Sequence, residues 1–217
     1  MINCYAFAAV PPIVQGLVRD LRVRWALEET GIPYRVTLVD RVGDGGGAMP
    51  LSDYRHIQPF GQIPAIEDGD LTLFESGACV QYVAEKAGKL LGSNPRERLH
   101  VIQWMFAALN SIEPPVQELA MIDLAYAEQG WAIERRPALV DWVRTRLGQL
   151  AGRLEGKEYL VGAFSAADLL MVSVLRMLKK TELVAEQPVL AAYHGRCEAR
   201  PAFQRALDGQ MSAFKAA

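Results

Sequence analysis

Apolar positions along the chain recur with two different periods. Ile2 to Phe7 is a short apolar run of strand length, and Tyr34 to Val39 is a second one, rich in β-branched residues. Between them Val14, Leu17, Val18, Leu21 and Trp25 fall at helical spacing, with Arg and Asp on the other side. Gly31, with Pro33 two residues later, carries the signals that end a helix. Ser52 to Ile57 has the length of one short helix, and two apolar runs then flank Asp68-Gly69, a hairpin signal. A helix is predicted over 77–86, closing near Gly88. Residues 1–88 thus read strand–helix–strand–helix–strand–strand–helix, an α/β pattern in which helices cover a sheet.

Gly92-Ser93-Asn94-Pro95 marks a linker, assigned to residues 89–96, and everything beyond it reads as helix. Residues 97–112 carry Leu99, Ile102, Phe106 and Leu109 on one face, and Pro114-Pro115 is expected to break or kink that helix. Pro137 is expected as the first residue of a helix bearing Val140, Val143, Leu147, Leu150 and Leu154. Ser165 and Asp168 have the spacing of a capping box, with Phe164 and Leu169 as its apolar staple. Pro188 and Pro201 each open one more helix. The expected domains are an α/β unit at 1–88 and an all-helical unit at 97–217.

The chain has 217 residues and 24.0 kDa, which fits one large domain or two small ones. With 51% apolar residues and a formal charge of −2, it resembles neither a disordered chain nor a nucleic-acid binder. No apolar run approaches the roughly 18 residues of a membrane span. The N-terminal MINCYAFAAVPPIVQGLVRD lacks a basic region before its apolar stretch, so it reads as a first strand and not a signal peptide. Cys4, Cys79 and Cys197 are odd in number and widely separated, which points to buried free thiols and a reducing cytoplasm. There is no CxxC and no His/Cys cluster with metal-ligand spacing, so neither a dithiol centre nor a metal is expected. RVGDGGGAMP at 41–50 lacks the GK[ST] of a phosphate loop and reads as a flexible loop.

The chemistry concentrates in PFGQIPAIEDGDLTLFES, residues 59–76. Gly61 permits a sharp bend, and Pro64 removes a donor while forcing Ile63 to be extended. Ile63 can therefore offer its N–H and C=O as an edge to a peptide-like ligand. Glu75 and Ser76 place a carboxylate and a hydroxyl where a helix start leaves free N–H groups, an anion site. An edge, an anion site and a fixed carboxylate together suit a small zwitterionic peptide.

With these segments in place, the chain resembles the soluble glutathione transferases over nearly its whole length. VRWALEETGIPY at 23–34, residues 59–85, FSAADLL at 164–170 and ARPAFQRAL at 199–207 carry the resemblance. It implies a thioredoxin-like N-terminal domain, an all-helical C-terminal domain, glutathione as cosubstrate and a homodimer. It also implies that Pro64 is cis, that Ile63 pairs through its backbone with the cysteinyl part of glutathione, and that Gln62 lies nearby. Glu75 would face the γ-glutamyl ammonium and Ser76 its carboxylate. His56, Arg41 and Gln58 are candidates for the glycyl carboxylate, and Phe7, Met105, Phe106, Leu109 and Trp131 for an apolar electrophile wall.

One departure concerns the sulfur. Many family members place Ser, Cys or Tyr near the turn after the first strand, but Ala6 to Glu29 contains no Ser, Thr, Cys, Tyr, Asn or His. Tyr5, Cys4 and Gln15 are the only nearby side chains of suitable chemistry, and Tyr5 is the catalytic candidate. Cys4 should face the opposite side of the sheet. Lowering a thiol pKa of about 8.5 by roughly two corresponds to about 2.7 kcal/mol. A helix N-terminus supplies roughly 0.3–1 kcal/mol, and one hydrogen bond to the charged sulfur about 1.5–3 kcal/mol. A backbone N–H near Ile13 or Val14 would suffice; Pro11 and Pro12 have none to give. The expected activity is conjugation of the glutathione thiolate to a small, largely apolar electrophile in a detoxifying role. Isomerisation or dehalogenation through a glutathione adduct uses the same chemistry. A glutathione-binding module with little turnover is the alternative.

Overall fold

The structure, a computed structural model, describes residues 1–40 and 48–216. The glycine-rich stretch and Arg41 of the sequence analysis fall largely outside the described residues. Among those described, β1 (Ile2–Phe7), β2 (Tyr34–Asp40), β3 (Met49–Pro50), β4 (Ala65–Asp68) and β5 (Leu71–Phe74) form one sheet in the order β3-β2-β1-β4-β5. β1 runs parallel to β2 and antiparallel to β4, with Tyr5 opposite Thr37 and Asn3 opposite Glu67. The hairpin forms at the expected Asp68-Gly69, but Asp68 pairs with Leu71, so the two turn residues are Gly69-Asp70, with Gly69 at φ +66°. The sheet and the helices α1 (Asp20–Thr30), α2 (Leu51–Tyr54) and α3 (Ser76–Ala87) make a thioredoxin-like arrangement. Helices make up the rest: α4 (Pro95–Phe106), α5 (Glu113–Met121), α6 (Gly130–Leu154), α7 (Ala166–Leu175), α8 (Pro188–Glu198) and α9 (Pro201–Ala216).

Three helix boundaries differ from expectation, each for a local reason. The first helix does not begin near Val14. A 3-10 turn at Pro12–Val14 leads to an extended Gln15 (ψ 137°) and to Gly16 at φ +76°, where no α-helix can pass, so α1 starts at Asp20. Pro137 does not open a helix; it lies inside α6, which begins at Gly130. The carbonyl that its missing N–H would have bonded belongs to Ile133, which is 59% exposed and therefore solvated. Pro114-Pro115 does not end the helix: the two prolines fall in the first turn of α5, where a missing N–H is tolerated, with a π-helical segment at Ala107–Ile112 directly ahead of α5 and another at Ile122–Tyr126 directly behind it.

The chain divides into two compact units, Leu90–Ala199 and a second made of Met1–Lys89 with Arg200–Ala217. The sequence reading placed 97–217 in one domain, whereas α9 packs with the α/β unit. The cause lies on α1. Its polar side is not a solvated face: Asp20, Arg22 and Arg24 are all at most 3% exposed. Gln210 of α9, fully buried, donates to the Asp20 carboxylate at 2.6 Å and to the Val18 carbonyl at 3.1 Å. Arg24 completes the cluster with an Nε–H bond to Asp20 at 2.7 Å. Phe203 meets Trp25 edge-on at 4.8 Å, and Arg200 grips the Glu29 carboxylate with two bonds of 2.6 and 2.8 Å.

Within the helical unit Asp168 is fully buried and accepts four hydrogen bonds. They come from the Ser165 N–H and hydroxyl, the Leu160 N–H and the Tyr193 hydroxyl, all at 2.9 Å. The box at 165–168 thus ties the start of α7 to the preceding loop and to α8.

Candidate functional site

The segment at 59–64 is shaped by bonds to its own backbone. Gly61 has φ +64°, and a Cβ there would press on the Arg55 side chain at 3.3 Å. The Gln62 N–H donates to the buried Gln58 Oε1 at 3.1 Å, and the Gln62 carbonyl accepts from the Tyr54 hydroxyl at 2.8 Å. Both backbone polar groups of Gln62 are thereby held, one in each of its flanking peptides, and the orientation of Ile63 follows from them. The Ile63–Pro64 bond is cis, and ladder pairing of β4 begins only at Ala65. Ile63 and Pro64 are buried, whereas the Gln62 side chain is exposed. Tyr54 and Gln58 were not singled out for this work in the sequence. Tyr54 appeared only as part of a short helix, and Gln58 was considered as a glycyl contact.

Glu75 and Ser76 lie where β5 turns into α3. Glu75 has φ +69° and ψ +117°, a left-handed conformation that costs a non-glycine residue about 1–3 kcal/mol. Its exposed side chain makes no capping hydrogen bond, so the strain does not serve the helix. Ser76, Gly77 and Ala78 are the first residues of α3, and their N–H groups have no intrahelical acceptor. The first such bond, from Cys79 to the Glu75 carbonyl, comes one residue later. Ser76 is 5% exposed, and its hydroxyl oxygen accepts from the Arg22 guanidinium at 3.0 Å. Arg22 was expected on the outer side of the first helix and is 3% exposed.

Tyr5 sits in the core with Ala6, Val39, Tyr54, Ile63 and Ala65, its ring 5.4 Å from that of Tyr54. Its hydroxyl donates to Glu67 at 2.6 Å, and the Asn3 amide donates to the same carboxylate oxygen at 3.3 Å. Burial, then the Glu67 carboxylate, pushes the phenol up to about 12. In the turn after β1, the Val14 N–H is taken by the Pro11 carbonyl at 3.0 Å and the Gln15 N–H by that of Pro12 at 3.2 Å. Val14 is thus removed from the two backbone donors considered, and Ile13 stays.

The other candidates are dispersed in character. His56 is exposed. Phe7 packs against the Tyr5 cluster; Met105 is buried, Leu109 half-buried, and Phe106 and Trp131 are 60% and 53% exposed, with the Trp131 ring tilted against that of Tyr126 at 5.4 Å. Cys4, Cys79 and Cys197 are free and buried, and burial raises the Cys4 and Cys79 thiols well above the ordinary range. Among the described residues no group of His, Cys, Asp and Glu could hold a metal ion, and no helix is long and apolar enough to cross a membrane. A cavity of about 380 Å³ in the helical unit, lined by Leu175, Arg176, Lys179 and His194 among others, contains none of the residues above.

Comparison with known proteins identifies the family. Residues 21–86 match the glutathione S-transferase N-terminal domain and residues 125–201 the glutathione S-transferase C-terminal domain. Glutathione S-transferase 4 of Zea mays is 32% identical, over 93% of this chain and 89% of its own. The disulfide-bond oxidoreductase YfcG of Escherichia coli is also 32% identical, over 83% and 86%. Among solved structures, a glutathione transferase from Burkholderia graminis with two glutathione molecules bound per subunit superposes with a TM-score of 0.81. It has 30% identity and covers 95% of this chain and 87% of that one. The chain belongs to the glutathione S-transferase family.

Proposed function

We propose that the protein is a glutathione transferase that adds the thiolate of glutathione to a small, largely apolar electrophile. The observation that carries the reading is the doubly held Gln62 backbone beside cis-Pro64, which presents the Ile63 backbone as a strand edge in the same unit as the Glu75-Ser76 start of α3. Glutathione is a γ-linked peptide with an ammonium, two carboxylates and a thiol. Ile63 pairs with its cysteinyl backbone, Gln62 lies alongside, Glu75 meets the ammonium, and Ser76 with the free N–H groups of α3 takes the γ-glutamyl carboxylate. Glutathione-bound relatives support the assignment.

The thiolate is held by the backbone of the turn after β1, with Ile13 as donor. Tyr5 is left to the core, because its proton is committed to Glu67. Homodimeric assembly, a cytoplasmic setting and a detoxifying role belong to the same proposal and rest on the family. Titration calorimetry tests the site: Glu75→Ala weakens glutathione binding about tenfold with little loss of fold stability, and unchanged affinity would remove the assignment. Retention on immobilised glutathione without turnover across a broad electrophile panel would leave only a binding module.

A second reading has its own support. The Escherichia coli relative is a disulfide-bond oxidoreductase, and the Burkholderia graminis relative holds two glutathione molecules per subunit. The same thiolate could attack a disulfide instead of a carbon electrophile. Parallel assays with an aryl halide and with a mixed glutathione disulfide distinguish the two by their kcat/KM.

A further inference from the structure

The anion subsite proposed above has a component that lies behind it. Arg22 projects from α1, is 3% exposed, and brings one guanidinium N–H to 3.0 Å from the Ser76 oxygen. Ser76 is itself 5% exposed and is the first residue of the twelve-residue helix α3. A serine hydroxyl has one hydrogen to donate and two lone pairs to accept with. Arg22 occupies a lone pair, so the hydroxyl hydrogen must be directed away from the guanidinium, toward a different acceptor. Arginine keeps its charge at every accessible pH. Its field therefore acts permanently on the helix start, where three N–H groups and the helix dipole already favour negative charge.

We infer that Arg22 is a positioning and specificity-determining residue for the carboxylate of the γ-glutamyl group: it fixes Ser76 as a donor and supplies a buried positive charge to that subsite. The inference rests on the proposed glutathione site. Arg22 touches no part of the ligand; it acts through the hydroxyl it orients and through its charge at short range, in surroundings where charges are weakly screened. The subsite then selects against peptides that lack this carboxylate. A thiol tripeptide without it loses the acceptor for the Ser76 hydroxyl hydrogen.

The test pairs two ligands with a set of variants of the full chain. The ligands are glutathione and γ-aminobutyryl-cysteinylglycine, which differ only in that carboxylate; affinities are measured by titration calorimetry. Arg22→Met is expected to weaken glutathione about tenfold, the size of one charge-assisted contact, and to leave the analogue unchanged. Arg22→Lys restores part of the difference. A structural role for Arg22 would weaken both ligands alike, and that result, or no effect on either, overturns the inference. Should Arg22→Met fail to fold, Arg22→Gln and Arg22→Lys give the same comparison, since each keeps a hydrogen-bond donor and only Lys keeps charge. Ser76→Ala separates the inference from the site reading. If it leaves glutathione affinity intact, the site itself is misplaced; if it weakens glutathione selectively while the Arg22 variants do not, only the role of Arg22 falls.

Discussion

The Tyr5 hydroxyl donates to the Glu67 carboxylate across neighbouring strands at 2.6 Å, on the same side of the sheet as Asn3 and Thr37. A proton held in this way is not available to a sulfur, and burial first, with the Glu67 carboxylate second, pushes the phenol's pKa up to about 12. Tyr5→Phe is expected to keep the conjugation rate and its pH profile within about twofold. It should lower stability by about 1–2 kcal/mol through the lost bond to a charged acceptor. Steady-state rates against pH and urea denaturation check the two halves separately. A tenfold loss of kcat with unchanged stability would restore Tyr5 as the thiolate's partner.

Tyr54 reaches the Gln62 carbonyl with its hydroxyl at 2.8 Å, while its ring, fully buried, fills the core beside Tyr5. Tyr54→Phe keeps the ring and frees the peptide. Glutathione affinity is expected to fall about three- to tenfold, consistent with about 1 kcal/mol for a neutral hydrogen bond. Calorimetry measures it, and a crystal structure of the variant would show a rotated Gln62 peptide.

Gln210 links α9 to α1 through the buried carboxylate of Asp20, whose pKa burial raises in spite of Arg24. Gln210→Leu leaves Asp20 with one donor fewer in a place that water does not reach. The expected cost is about 1–3 kcal/mol, read as a shift of the urea midpoint with no change in slope. Gln210→Glu should cost more, because it sets a second carboxylate against the first.

His194 contributes to stability on the acid side. Its ring is mostly buried, and burial with the neighbouring Arg176 lowers its pKa to about 4. Glu198, 3.4 Å from Nδ1, would oppose that shift, but it also pairs with Arg176. A group that resists protonation when folded makes the unfolded chain bind more protons below its ordinary pKa. Stability is thus full above about pH 6.5 and falls as pH drops toward 4, by up to roughly 2–3 kcal/mol from this residue. His194→Gln should flatten the melting temperature between pH 6.5 and 4.5; an unchanged slope would assign the acid sensitivity elsewhere.

What could be read from the sequence depended on how local the signal was. The hairpin at Asp68-Gly69, the glycine at the end of α1 and the box at Ser165-Asp168 each depend on a few adjacent residues, and each forms where its pattern lies. Pro137 misled because the helix around it tolerates a proline: the exposed Ile133 leaves the freed carbonyl open to water, so only the ring's clash remains as a cost. The polar face of α1 misled more seriously. Asp20, Arg22 and Arg24 have the spacing of a solvated face, but α3 and α9 bring Ser76 and Gln210 against them from 54 and 190 residues away. Distance in sequence also hid the bond between Tyr5 and Glu67, which are 62 residues apart. The ligand edge at Ile63 was legible because it is made of consecutive backbone, whereas the side chains that brace it are not consecutive with it.

The placement of α9 gives the chain an unusual order of assembly. The α/β unit is written in two pieces, with the whole helical unit inserted between Lys89 and Arg200. A ribosome therefore delivers the sheet and the ligand edge first and the helix that covers Trp25 last. Until residues 201–216 emerge, the buried charges of α1 lack their neighbour and the first unit stays unfinished, however early it was begun. A premature stop after Ala199, far from every residue proposed to touch glutathione, would leave the helical unit whole and expose the side of α1 that Phe203 and Gln210 cover.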